Sequence, residues 1–154
     1  MPTETAPAAV VIDTNVALDL LVFKDPATAQ LRAALEGGQM HWVATRAMRD
    51  ELERVLGYPK LAARVAYHQC DTPGVLAAMD SRCHWVDAAP KAPVTCSDAD
   101  DQKFIDLALA HRALLLSKDH HITRMRKRLL VLGVPVVARW PVLERGLNGT
   151  GQSS

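Results

Sequence analysis

The chain has 154 residues, with 18 Lys and Arg against 17 Asp and Glu, for a formal net charge of +1. That length suits one domain of roughly 100–200 residues, and 49% hydrophobic with 23% charged residues excludes a wholly disordered chain. No apolar run approaches the roughly 20 residues that cross a bilayer, and the near-neutral charge argues against a protein that coats nucleic acid through a general positive field. Met1 to Pro7 carries no basic leader pattern, so the expected setting is cytoplasmic, with no membrane partner. The domain is expected over residues 8–146, with 1–7 and 147–154 as flexible tails.

Residues 8–12 (Ala-Ala-Val-Val-Ile) are an unbroken apolar run that stops at Asp13, the pattern of a strand buried on both faces of a parallel sheet. Val16, Leu20 and Phe23 then mark one side of a helix, and a second helix opens at Pro26 and stops at Gly37-Gly38. His41 to Ala44 reads as a strand, followed from Thr45 by a helix whose stripe is Met48, Leu52, Val55 and Leu56. Residues 60–80 are expected to be helical, interrupted around Asp71-Thr72-Pro73-Gly74, before a third strand at Cys83–Val86 and a loop at Ala88–Pro93. A helix with Phe104, Ile105, Ala108 and Leu109 on its core face follows Ser97-Asp98-Ala99-Asp100. Ala113–Leu116 is a fourth strand, 121–130 a basic helix ended by Gly133, and Pro135–Ala138 a fifth strand. Alternating strands and helices predict a three-layer α/β/α sandwich around a central parallel sheet of about five strands.

Functional groups in such a sheet collect beyond the carboxyl ends of the strands. Asp13 falls there after the first strand and Asp119 after the fourth, while Asp98, Asp100 and Asp101 open the helix after the third. Glu51 lies about two turns into the helix after the second, bordering its apolar face. Four acidic positions on one sheet edge repel one another unless a cation offsets them, and oxygen-only ligands select Mg²⁺ or Mn²⁺. Such a site suits phosphodiester hydrolysis. Each acid alone has a plain local reading as well. Asp13 and Asp119 fit helix caps, Asp98 to Asp101 fit a first helical turn, and Glu51 fits an ion pair with Arg49 or Arg54. Asp19, Asp25, Asp71, Asp80, Asp87 and Asp106 have no such placement and are expected at the surface.

Four segments together resemble the PIN domain nucleases, most of all the branch of toxin components of toxin–antitoxin systems. They are Val10-Val11-Ile12-Asp13-Thr14-Asn15, Asp50 to Leu56 with Pro59-Lys60-Leu61, Asp98 to Ala108, and Leu115-Leu116-Ser117-Lys118-Asp119. The resemblance implies a PIN-like, Rossmann-like fold and a catalytic, metal-binding quartet of Asp13, Glu51, Asp101 and Asp119, with Asp98 or Asp100 assisting through water. Asp98 is a further candidate ligand. It implies that Asp13 and Asp101 touch the metal most directly, with Thr14, Asn15 and Ser117 as supporting polar groups. Where the family has Thr-Gly-Asp or Thr-x-Asp, this chain has Ser117-Lys118-Asp119, which keeps a hydroxyl.

The implied function is a Mg²⁺- or Mn²⁺-dependent endoribonuclease, the toxin partner of a cognate antitoxin protein and a candidate homodimer. The alternative is an inactive PIN-like module that binds RNA or protein. A haloacid dehalogenase-type phosphatase needs a second Asp where position 15 is Asn, and a receiver domain needs paired acids after the first strand. Arg46, Lys118, Arg124 and Lys127 are the candidate RNA contacts; the segment of Arg124 and Lys127 also reads as a solvated helix exterior, and Lys118 reads more readily as simply exposed. Cys70, Cys83 and Cys96 lack the spacing of a zinc site or a disulfide framework, and Cys96 reads as a small buried residue. His120-His121 reads as exposed polar residues at a helix start.

Overall fold

The computed structural model describes residues 8–141. The expected tails, 1–7 and 147–154, and the end of the expected domain, 142–146, lie outside the described residues. Five parallel strands form one sheet: β1 (Ala8–Ile12), β2 (Met40–Ala44), β3 (Cys83–Trp85), β4 (Leu114–Leu116) and β5 (Val136–Val137). Their spatial order is β3-β2-β1-β4-β5. Neighbouring side chains on β1 point to opposite faces, and Val10, Val11 and Ile12 are all buried, so both faces of the sheet centre are covered. This is the expected α/β sandwich.

The helices are α1 (Thr14–Leu18), α2 (Ala29–Glu36), α3 (Arg46–Leu56), α4 (Pro59–Tyr67), α5 (Thr72–Arg82), α6 (Gln102–His111), α7 (His120–Thr123) and α8 (Arg126–Val131). α1 runs on as a π-helical turn, Asp19–Phe23, which ends where Lys24 takes a left-handed conformation at φ 48°. α6 packs on β1 and β4, burying Phe104, Ile105, Leu107 and Ala108. Fully burying a side chain of this kind contributes about 1.5–3 kcal/mol, so this face anchors everything carried at the start of α6.

Two local expectations change. Pro73 and Gly74 do not interrupt a helix; they lie in the first turn of α5, where Asp71 caps the Gly74 amide at 2.8 Å. Proline is tolerated there because that turn has no intrahelical acceptor for its missing N–H, and the break falls at 68–71 instead. The expected basic helix over 121–130 is split into α7 and α8 at Arg124–Met125. An unbroken helix would stack Arg124 one turn from Arg128, a like-charge pair, and the split keeps Ile122, Met125 and Leu129 buried.

The strand order places the site. The chain moves outward from β1 to β2 and β3, then returns to the other side of β1 for β4 and β5. Connections therefore diverge beyond the carboxyl ends of β1 and β4, opening a crevice between them. Ile12 pairs with Leu116, so the residues following each strand, Asp13 and Ser117, emerge side by side.

Candidate active site

Asp13 ends β1 and caps α1. Its backbone N–H donates to the Leu116 carbonyl at 2.9 Å, one carboxylate oxygen accepts from the Val16 amide at 2.9 Å, and the other accepts from the Ser117 hydroxyl. The capping reading and the site reading are thus both true of this residue. Burial raises its carboxyl above the ordinary carboxylate value, against the opposing pull of Ser117 and Val16. Ser117 is completely buried, and its oxygen also accepts from the Asp119 amide at 3.0 Å. Asp119 in turn caps α7, accepting from the His121 amide at 2.8 Å. One hydroxyl thereby ties the carboxylate after β1 to the backbone amide of Asp119 after β4.

The facing side is built from α3 and from the turn that leads into α6. A 3-10 turn, Ala99–Asp101, is capped by Asp98, whose carboxylate accepts from the Asp100 amide at 2.9 Å. Asp101 closes it, 8% exposed, with one carboxylate oxygen, Oδ2, buried and without any hydrogen-bond partner. Its carboxyl is pushed up to about 7, first by burial and then by the charges of Asp119, Asp98 and Asp13. Glu51 reaches in from α3, held by the Thr14 hydroxyl on one oxygen and by the Lys103 ammonium on the other. Lys103 also donates to the Asp100 carbonyl.

Asp13, Thr14, Asn15, Glu51, Asp101 and Asp119 line a single cleft of about 100 Å³ together with Val55 and Phe104. All four acids of the expected quartet are therefore brought together, with Thr14 and Asn15 beside them. Asp98 and Asp100 do not line the cleft: Asp98 caps the turn, and Asp100 is exposed and offers only its carbonyl to Lys103. Ser117 lies beneath the floor, bonded to Asp13.

The basic candidates lie farther out. Lys118 is ion-paired with Asp19, so Asp19 is a partner of the β4 end rather than a free surface acid. Arg46 sits over the Trp85 ring at 5.9 Å, and Arg124 and Lys127 are exposed. Arg49 pairs with Asp80 rather than with Glu51. Asp106, also expected at the surface, is half-buried and accepts from the Ala92 amide and the Gln102 amide group. Cys96 is buried as expected, and His121 is half-buried, its ring bonded to Ser97 at 2.8 Å.

Lys103 is the site residue that sequence reasoning missed. A signal was present: a cation in the first turn of a helix opposes the helix dipole, and its place in α6 calls for a compensating anion.

A model of the PIN domain matches residues 9–121, well over half of the chain. The chain belongs to the PIN domain family. The match runs through all four cleft acids of this PIN domain, from Asp13 to Asp119. PIN domains are generally nucleases, and they typically use divalent metals. No curated protein is a significant match to the chain.

The donor set of this PIN domain fits such a metal. The cleft offers only oxygen among charged ligands, one of them a buried carboxylate oxygen that nothing in the protein satisfies. Such an oxygen is costly to leave bare, and a hard divalent cation is what it would accept. The acids do not form a finished cage: among the described residues no group of three or more His, Cys, Asp or Glu is arranged to hold an ion outright. Among the described residues, no helix is long and apolar enough to cross a membrane.

Proposed function

We propose that this PIN domain chain is a Mg²⁺- or Mn²⁺-dependent endoribonuclease acting as the toxin of a toxin–antitoxin pair in the cytoplasm. The observation that carries the metal-dependent hydrolytic reading is Asp101, a buried carboxylate with an unpartnered oxygen facing the charges of Asp13 and Asp119. A fold keeps such an arrangement at a stability cost, and strongly perturbed acids in a cleft mark functional sites. The choice of RNA, a cognate antitoxin and a homodimer follow from the resemblance of the four motif segments to the toxin branch.

Asp13, Asp101 and Asp119 are the side chains that would hold the ion. A divalent ion there supplies Lewis-acid polarisation of a phosphodiester and a more acidic water. The chain's own part is positioning. Ser117 and the Val16 amide fix the Asp13 carboxylate, the His121 amide fixes Asp119, and the α6 core face fixes Asp101. Asn15 is exposed at the cleft and stands where a ribose or phosphate oxygen of the strand would pass. Arg124, Lys127 and Arg46 would meet the flanking phosphates, with sequence-independent contacts that track the backbone.

The test is cleavage of single-stranded RNA by wild type and Asp13→Asn, with and without added Mn²⁺. The expected result is Mn²⁺-dependent cleavage by wild type alone. Equal cleavage by both proteins would remove the reading.

A further inference from the structure

Glu51 differs from the other three acids of the cleft in having an ammonium of the same chain on it. Thr14 donates to one of its oxygens and Lys103 to the other, so its charge is already met by a cation before any ion arrives, whereas the donors on Asp13 are neutral. The Lys103 ammonium is itself held in place, donating to the Asp100 carbonyl and lying 5.0 Å from the centre of the Phe104 ring. Both members of the pair are mostly buried, with side chains 27% and 13% exposed, where an ion pair is screened far less than at an open surface. At Asp101 the reverse holds. Asp101 has an oxygen without a partner, and Asp119 and Asp13 press their charges upon it.

We infer that Lys103 fills the place of a second cation, so that the cleft takes one divalent ion, bound through Asp13, Asp101 and Asp119, while Glu51 is not a ligand. The inference rests on the metal-dependent reading above and narrows it to a single ion. Lys103 is then a positioning residue: it fixes Glu51 and, by occupying its oxygen, keeps a second ion out. This also accounts for a lysine in the first turn of α6, where the helix dipole disfavours it.

The experiment is Mn²⁺ titration of the full chain by calorimetry, with the free ion counted by electron paramagnetic resonance. Wild type is expected to bind one equivalent. Glu51→Gln should still bind one, with the dissociation constant within about threefold, because it removes no ligand. Asp101→Asn should weaken binding by roughly 100-fold or more, since even an outer partner of a metal ligand is worth about 10–100-fold. Lys103→Met should expose Glu51 and bind two equivalents, and adding Glu51→Gln to it should restore one.

Two equivalents on wild type would overturn the inference, as would one equivalent on a folded Lys103→Met protein. An affinity loss in Glu51→Gln as deep as in Asp101→Asn would also overturn it. The nuclease reading survives any of these results if Mn²⁺ still drives RNA cleavage. A wild type that binds no Mn²⁺ defeats both.

Discussion

The two walls of the cleft carry carboxylates of similar burial in opposite conditions. On the β1–β4 wall, Asp13 is wrapped by the fold's own donors: a backbone amide on one oxygen and the Ser117 hydroxyl on the other. On the α6 wall, Asp101 sits at the end of a 3-10 turn with no capping bond and one oxygen bare. The difference has a simple origin. A residue that ends a strand and begins a helix faces a ready set of unpaired N–H groups. Asp101 instead closes a turn in which the Asp100 amide is already taken by Asp98, and no equivalent donor reaches its buried Oδ2. Asp13 thus has a donor on each oxygen before any ion arrives, whereas Asp101 keeps an oxygen that no group of the described residues meets.

The largest expected effect comes from the α6 wall. The Asp101 carboxyl stands at about 7 when folded, above the ordinary carboxylate value of 3.8. Between those values the folded chain keeps a proton that the unfolded chain has released, so raising the pH through this window costs stability. By about pH 8 the loss is on the order of 2–4 kcal/mol in metal-free protein. Asp101→Asn removes that loss. In urea unfolding with EDTA, the variant should gain on wild type as the pH rises from about 4.5 to about 8. A constant gap across the range would show that Asp101 carries no such strain, and the contrast between the walls would fail.

A smaller effect is expected on the β1–β4 wall. Ser117→Ala takes the donor from Asp13 and the acceptor from the Asp119 amide, leaving a second bare carboxylate oxygen. Stranding a buried polar group costs about 1–3 kcal/mol, and the substitution makes the β1–β4 wall resemble the α6 wall. Thermal melts in EDTA at neutral pH should show the loss, and the melting temperature should fall further as the pH rises because Asp13 has lost a stabilising donor. An unchanged melting curve would mean that Ser117 does not hold Asp13.

The sequence made the first wall legible and left half of the second obscure. An apolar β-branched run ending at an acid declares both a buried strand and what stands beyond it, so Asp13 and Asp119 could be placed from local pattern alone. Glu51 and Asp101 could be placed too, by their positions after β2 and β3. Their partners could not. Lys103 meets Glu51 across 52 positions of chain, and Lys118 meets Asp19 across 99. Neither pairing has a local signature, because it depends on where α3 and α6, or β4 and α1, come to rest. Asp106 occupies what reads as an outward position of α6, yet the loop before the helix folds back to give it the Ala92 amide. Periodicity reports which way a side chain points relative to its own helix; it carries no information about a loop that returns to cover it.

The smallest effect concerns charges outside both walls, and it asks whether the walls alone recognise the substrate. Arg124 and Lys127 are exposed on the α7–α8 segment just beyond Asp119, whereas Lys118 is engaged by Asp19. An exposed cation on a phosphate contributes through counterion release, with a salt dependence of about 0.7 per contact on a single strand. Changing both Arg124 and Lys127 to Ala should therefore lower kcat/KM on RNA a few-fold at low salt and flatten its log–log salt slope by about 1.4. Metal affinity and melting temperature should stay as in wild type, since neither residue touches the cleft. Lys118→Ala should act in the same direction for a different reason: it takes the ion-pair partner from Asp19, leaving an uncompensated negative charge that repels the RNA backbone. If the double variant keeps the wild-type slope, the cleft walls hold RNA without help from the basic segment. The binding surface must then be sought around Arg46, whose guanidinium lies over Trp85 beyond the end of β2.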